Sequence, residues 1–136
     1  MRSKFETLVA ASLKRHRVAF EYEPFNVKYS SRVASTYCQS CGSKDTRKNR
    51  NYRPDFVLGN GIYLEAKGKL TSAERSKIIA ILETSDVINL DNYRLLFMRD
   101  NTLSKTSTTR YSEWATKHGI IFHVSSTGEV PKNWTL

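Results

Sequence analysis

The sequence predicts a mixed α/β domain, a β-sheet flanked by helices, and three observations predict it. Apolar residues recur at helical spacing in some stretches and alternate, or form short apolar runs, in others. Gly59-Asn60-Gly61 separates two strand-like runs, a strong hairpin signal. A chain of 136 residues without internal repeat or low-complexity tract is the length of one domain.

Ser3 to about Arg15 reads as a helix. Phe5, Leu8, Val9, Ser12 and Leu13 fall on one face, and Ser3 with Glu6 matches a capping box. Val18 to Tyr29 alternates and is rich in aromatic and β-branched residues, so it reads as one strand, with Pro24 placing it on an edge or bending it. Ser30 to Asn51 lacks apolar periodicity and reads as a long loop or small insertion, of the kind that signals function or disorder. Arg53–Leu58 and Ile62–Lys67 are the arms of the hairpin. Thr71 to about Glu83 is a second helix, with Thr71 as cap and Glu74 three residues later. Tyr93–Met98 reads as a buried strand, Tyr111–His118 as a short helix stopped by Gly119, and Ile120–Val124 as a last strand. Residues 1–136 thus form a single domain with an insertion at about 30–51.

The charge is lopsided. Lys and Arg number 22 against 13 Asp and Glu, a net +9, which favours a polyanionic partner because each neutralised phosphate releases condensed counterions. Lys28, Arg32, Lys44, Arg47, Lys48, Arg50 and Arg53 face the single acid Asp45 in one stretch, so these seven are the candidate nucleic-acid contacts. A solvated basic loop is the bland alternative. No apolar run approaches the roughly 20 residues of a spanning helix, so a membrane partner is not expected. The first residues lack a signal-peptide core, which predicts a cytoplasmic protein with reduced cysteines.

The hairpin concentrates the chemistry. Side chains alternate along a strand, so Glu65 and Lys67 share a face. A three-residue turn pairs Leu58 with Ile62, Phe56 with Leu64 and Asp55 with Glu65. One face is then purely apolar, and the other holds Asp55, Val57, Tyr63, Glu65 and Lys67. Two opposed carboxylates repel unless compensated, and a divalent cation such as Mg²⁺ compensates them. Asp55 and Glu65 are the candidate metal ligands, with the Ala66 carbonyl as a further oxygen. Lys67 is placed to orient or deprotonate a water and to stabilise charge on a phosphate, its proton affinity kept low by the metal. The bland alternative is a solvated strand face.

Arg53-Pro54-Asp55-Phe56 followed by Gly61-Ile62-Tyr63-Leu64-Glu65-Ala66-Lys67-Gly68 resembles the PD-(D/E)xK nuclease motif. Ser3-x-x-Glu6, Phe20-Glu21-Tyr22-Glu23, Tyr111-Ser112-Glu113-Trp114, Lys117-His118-Gly119-Ile120 and Val130-Pro131-Lys132-Asn133-Trp134 extend the likeness over nearly the whole chain. Together they resemble the bacteriophage T7 endonuclease I family. The resemblance implies a restriction-endonuclease-like fold and an intertwined, segment-exchanged homodimer. It also implies a Holliday-junction resolvase making paired nicks in branched DNA with Mg²⁺ or Mn²⁺, in the host bacterial cytoplasm if the chain is phage-encoded. It adds Glu6 as a fourth active-site residue and possible metal ligand; the alternative for Glu6 is the cap of its own helix.

Two departures from the family stand out: a short lead before the first helix, and a longer Ser31–Asn51 stretch. The latter carries Cys38-Gln39-Ser40-Cys41-Gly42, half of a structural Zn²⁺ site or a pair of reduced thiols. Trp114 and Trp134 read as core or dimer packing, and His118 as a helix-end residue. No recognition helix stands out, so selection by DNA shape is expected rather than base readout. The rivals are a sequence-specific restriction-type nuclease of the same fold and a non-catalytic DNA-binding module.

Overall fold

The computed structural model of the chain describes residues 3–32 and 47–136. Cys38, Cys41 and Lys44 lie outside the described residues. The elements run α1 (Lys4–Arg15), β1 (Phe20–Tyr22), β2 (Val27–Arg32), β3 (Arg47–Tyr52), β4 (Phe56–Leu58), β5 (Tyr63–Lys67), α2 (Ser72–Thr84), β6 (Tyr93–Phe97), α3 (Tyr111–Lys117) and β7 (Ile121–Val124), closed by a 3-10 turn at Lys132–Trp134. Among the described residues, no helix is long and apolar enough to cross a membrane.

Five strands form a mixed sheet in the order β1-β4-β5-β6-β7. The first three are antiparallel, and β5, β6 and β7 are parallel, reached through the crossovers that contain α2 and α3. Alternation along β5 and β6 divides the core in two. Leu64 and Leu96 point to one face, where Phe5, Val9, Ala10 and Leu13 of α1 pack with Phe56, Leu58, Val130 and Trp134. Tyr63, Leu95 and Phe97 point to the other, against Ile78 and Ile81 of α2 and Trp114 and Ala115 of α3. Both tryptophans are buried core residues.

The chain between β1 and β4 departs from the sequence expectation. Val18–Tyr29 is two strands, not one: β1 ends at Tyr22, Glu23 takes a left-handed backbone conformation (φ +45°) ahead of Pro24, and β2 belongs to a separate two-stranded ribbon. Proline disfavours the right-handed helical region for the residue before it and cannot donate to a strand ladder, so the chain leaves the sheet here. Ser30–Asn51 is not wholly a loop, because β2 continues to Arg32 and β3 returns from Arg47, paired from Val27↔Tyr52 to Arg32↔Arg47. The Arg47–Tyr52 segment has little apolar pattern of its own; its ladder partner makes it a strand. Val27 and Tyr29 of β2 and Tyr52 of β3 are buried and join the core beneath α2. β4 is also shorter than expected, starting at Phe56 rather than Arg53.

The segment after β7 is strapped across α1. Val130 donates its N–H to Ser12 Oγ (3.1 Å), and Glu129 accepts from Arg15 at 2.5 Å. Gly128, at φ +76°, lies so close to the helix that a Cβ there would meet Leu8 Cβ at 2.7 Å and Val9 N at 2.8 Å. Only glycine fits that approach.

Candidate active site

The β4–β5 turn sets the register on which the site depends. Leu58 and Ile62 close it, with Gly61 N–H donating to Leu58 O and Leu58 N–H donating to Ile62 O, each at 2.9 Å. Gly61 adopts φ +88°, and Asn60 ties the turn to the C-terminal segment through Trp134 O at 2.9 Å. Phe56 pairs with Leu64 and Val57 with Tyr63, as the apolar pattern requires. A slip of one residue would have sent Leu64 to the opposite core and Glu65 to the α1 side.

Asp55 lies just before β4 and is anchored twice by main chain. Its Oδ2 accepts the Ala66 N–H at 3.0 Å, and its carbonyl accepts the Glu23 N–H at 2.9 Å. Glu65 Oε2 accepts the hydroxyl of Tyr52, and Oε1 meets Lys67 Nζ at 3.0 Å. Lys67 Nζ also donates to Glu74 Oε2 at 2.6 Å. Asp55 and Glu65 are only 9% and 5% exposed, which rules out the solvated strand face as their setting. Glu65 is near enough for its charge to act on Asp55, and it pairs with Lys67, but it stands outside the carboxylate cluster that Asp55 forms with Glu6 and Glu23.

Glu6 does both things the sequence allowed. It completes the capping box of α1, accepting the Ser3 N–H at 2.7 Å while its own N–H donates to Ser3 Oγ at 3.1 Å. It also joins Asp55 and Glu23 in a group whose carboxylate oxygens lie within 4.8 Å of one another. Tyr22 donates to Glu6 Oε2 at 3.4 Å, and burial together with the charges of Glu6, Glu23 and Asp55 pushes its hydroxyl up to about 12.

Glu23 is a member of this cluster that sequence reasoning missed. Reading Val18–Tyr29 as one continuous strand hid it, because the chain turns at that position. Its neighbour Tyr22 pairs with Phe56, which sets Glu23 beside Asp55. The Glu-Pro step was the available signal, since it marks the corner where the strand ends.

Burial first, then the negative charge of Glu65 and that of Glu6, push the Asp55 carboxyl up to about 9, with the Ala66 N–H opposing. Three clustered carboxylates, one held that far from its ordinary range, form a hard-oxygen donor set that fits a divalent ion such as Mg²⁺. Lys67 is held by carboxylates from two elements, Glu65 of β5 and Glu74 of α2. Burial alone would depress its pKa, but Glu65 and Glu74 outweigh burial and raise it, favouring a protonated ammonium.

The basic candidates divide between two surroundings. Lys28, Lys48, Arg50 and Arg53 are exposed, and Arg32 pairs with Arg47 at the far end of the ribbon. Arg53 donates to Asn26 Oδ1 at 3.3 Å, and Arg50 to Ser31 Oγ at 2.6 Å. Arg50 also lines an open cleft of about 870 Å³ between the ribbon and α2, shared with Ser31, Arg75, Ser76 and Lys77. Lys77 reaches over the Tyr52 ring, 5.3 Å from its centroid, so the cleft adjoins the tyrosine that holds Glu65. Arg75 and Lys77 escaped the sequence reading because their helix carries no run of basic residues.

Comparison with known proteins agrees with this geometry. Residues 1–135 match the phage endonuclease I family model. The chain is 34% identical over 122 residues to Endonuclease I of Escherichia phage T7, covering 89% of this chain and 70% of the relative. It is 33% identical over 122 residues to Endodeoxyribonuclease 1 of Enterobacteria phage T3, covering 89% and 69%. A family match along the whole chain leads to one conclusion: the chain belongs to the phage endonuclease I family.

Proposed function

We propose that the protein is a structure-selective DNA endonuclease that resolves Holliday junctions and other branched DNA by paired, metal-dependent nicks. The observation that carries this reading is the buried Asp55–Glu65–Lys67 constellation with Glu6 and Glu23 alongside, in a family named for endonucleases. Asp55 and Glu65, with Glu6 and Glu23 from the α1 side and the Ala66 carbonyl as a further oxygen, would hold Mg²⁺ or Mn²⁺. When bound, such an ion supplies Lewis acidity toward the phosphoryl oxygens and lowers the pKa of its bound water.

The remaining roles belong to the chain. Lys67, protonated and tethered by Glu74, presents a positive charge to the scissile phosphate, where negative charge grows in the transition state. Tyr52 holds Glu65 in place. Lys28, Arg32, Arg47, Lys48, Arg50 and Arg53 of the ribbon and its flank, with Arg75 and Lys77 of the cleft, take the phosphate backbone, so selection follows the shape of the branch point. A restriction-endonuclease-like fold and a segment-exchanged homodimer accompany this reading, since paired nicks require two active sites.

Cleavage of a synthetic four-way junction with Mg²⁺, with Asp55→Asn as control, tests it. The expected result is paired nicks by the wild type, none by the variant or in EDTA, and sparing of linear duplex with the same arm sequences. Equal cutting of junction and duplex, or cutting confined to one base sequence, would overturn it in favour of a restriction-type enzyme.

A further inference from the structure

The first turns of α1 and α2 begin alike and then part. Ser3 Oγ accepts the Glu6 N–H at 3.1 Å, and Thr71 Oγ1 accepts the Glu74 N–H at 3.2 Å. In α1 the glutamate reaches back to the N-cap main chain and completes the box. In α2 it does not: Glu74 Oε2 accepts from Lys67 Nζ at 2.6 Å instead. A residue whose spacing fits it for capping is diverted to the lysine of the active site.

The surroundings make this contact consequential. A lysine ammonium is a point charge on a flexible four-carbon stem, with no preorganised fork to fix it. Two carboxylates hold Lys67 here, Glu65 at 3.0 Å and Glu74 at 2.6 Å, and its side chain is 13% exposed. Glu65 is a ligand candidate, so its charge is shared once a cation binds. Glu74 lies on a different element and outside the Glu6–Glu23–Asp55 cluster. The link from β5 to α2 is itself fixed, because Leu70 is buried and its carbonyl accepts from Arg75 Nη1 at 2.9 Å.

We propose that Glu74 is a positioning residue, acting through Lys67: it keeps the ammonium aimed at the scissile phosphate when Glu65 turns to the cation. The proposal rests on the nuclease reading above and deepens it. Glu74 touches neither substrate nor reacting atoms, and its effect belongs in the rate of the chemical step rather than in DNA affinity.

The test is single-turnover cleavage of a saturating four-way junction with Mg²⁺, alongside junction binding in Ca²⁺, for wild type, Glu74→Ala, Glu74→Gln and Thr71→Ala. Glu74→Ala is expected to slow cleavage about tenfold with Kd within about twofold of wild type. Glu74→Gln keeps an oxygen acceptor for Lys67 and recovers part of the rate. Thr71→Ala removes only the helix cap and cleaves at the wild-type rate below its melting temperature. Wild-type cleavage by Glu74→Ala, or an equal loss in Thr71→Ala, would overturn the positioning role while leaving the nuclease reading intact. A wild-type protein that cuts no branched DNA would overturn both.

Discussion

Tyr52 donates its phenolic hydrogen to Glu65 Oε2, joining the last residue of the ribbon to the central strand of the five-stranded sheet. Both partners are buried, and the proximity of Glu65, after burial itself, holds the Tyr52 hydroxyl well above its ordinary range. Tyr52→Phe leaves Glu65 with Lys67 as its remaining side-chain donor among the described residues. It should cost about 1–2 kcal/mol in urea unfolding and slow cleavage about fivefold, the kinetic equivalent of roughly 1 kcal/mol. Unchanged stability and rate would deny the contact any role.

Asp55 gives a pH signature in the metal-free protein. Its folded-state pKa, pushed up to about 9 from 3.8, means that the folded protein keeps a proton the unfolded chain has released. The unfolded state then binds fewer protons, so this group's contribution makes stability fall as pH rises through that interval. Asp55→Asn removes the effect. The variant should exceed wild type by more than about 1 kcal/mol near pH 7 in EDTA, with the gap closing toward pH 4. Adding Mg²⁺ should raise the wild-type melting temperature and leave that of Asp55→Asn unmoved.

Glu6 separates its two duties by substitution. Gln at this position still accepts from the Ser3 N–H, as a capping box allows, but brings no charge to Glu23 and Asp55. Glu6→Gln should therefore keep stability within about 0.5 kcal/mol while losing cleavage on the order of 100-fold. Ser3→Ala should do the reverse, losing about 1 kcal/mol of stability and little activity. Thermal melts and junction assays on the pair separate the roles.

The cleft predicts a salt effect. Arg50→Gln with Lys77→Gln should weaken junction binding about tenfold near physiological salt and lower the slope of log K against log salt by about 2. The single-turnover rate at saturation should stay near wild type. A slope identical to wild type would place the DNA backbone elsewhere.

What was legible in the sequence was what local pattern decides. Phe56, Leu58, Ile62 and Leu64 admit one register around a three-residue turn, and the structure adopts it. Ser3 and Thr71 announced the starts of α1 and α2, and Gly119 at φ +70° the end of α3. What was hidden depends on distant partners. Arg47–Tyr52 is a strand because β2 lies beside it, and Glu23 meets Asp55 because β1 pairs with β4. Glu74 looked like half of a cap, and only the packing of α2 against β5 shows where its carboxylate goes.

Gly128 has no chemistry to perform, yet its bare backbone lets the tail lie against the helix that carries Glu6. It presses on α1 at Leu8, two positions along the helix from Glu6 and so roughly on the opposite side. A Cβ at 128 would come within 2.8 Å of the Leu8 and Val9 backbone, so the tail or the helix would have to shift. A substitution at this distant close contact would thus strain the helix that carries Glu6, and any loss of cutting would be easily mistaken for a lesion in the candidate site itself.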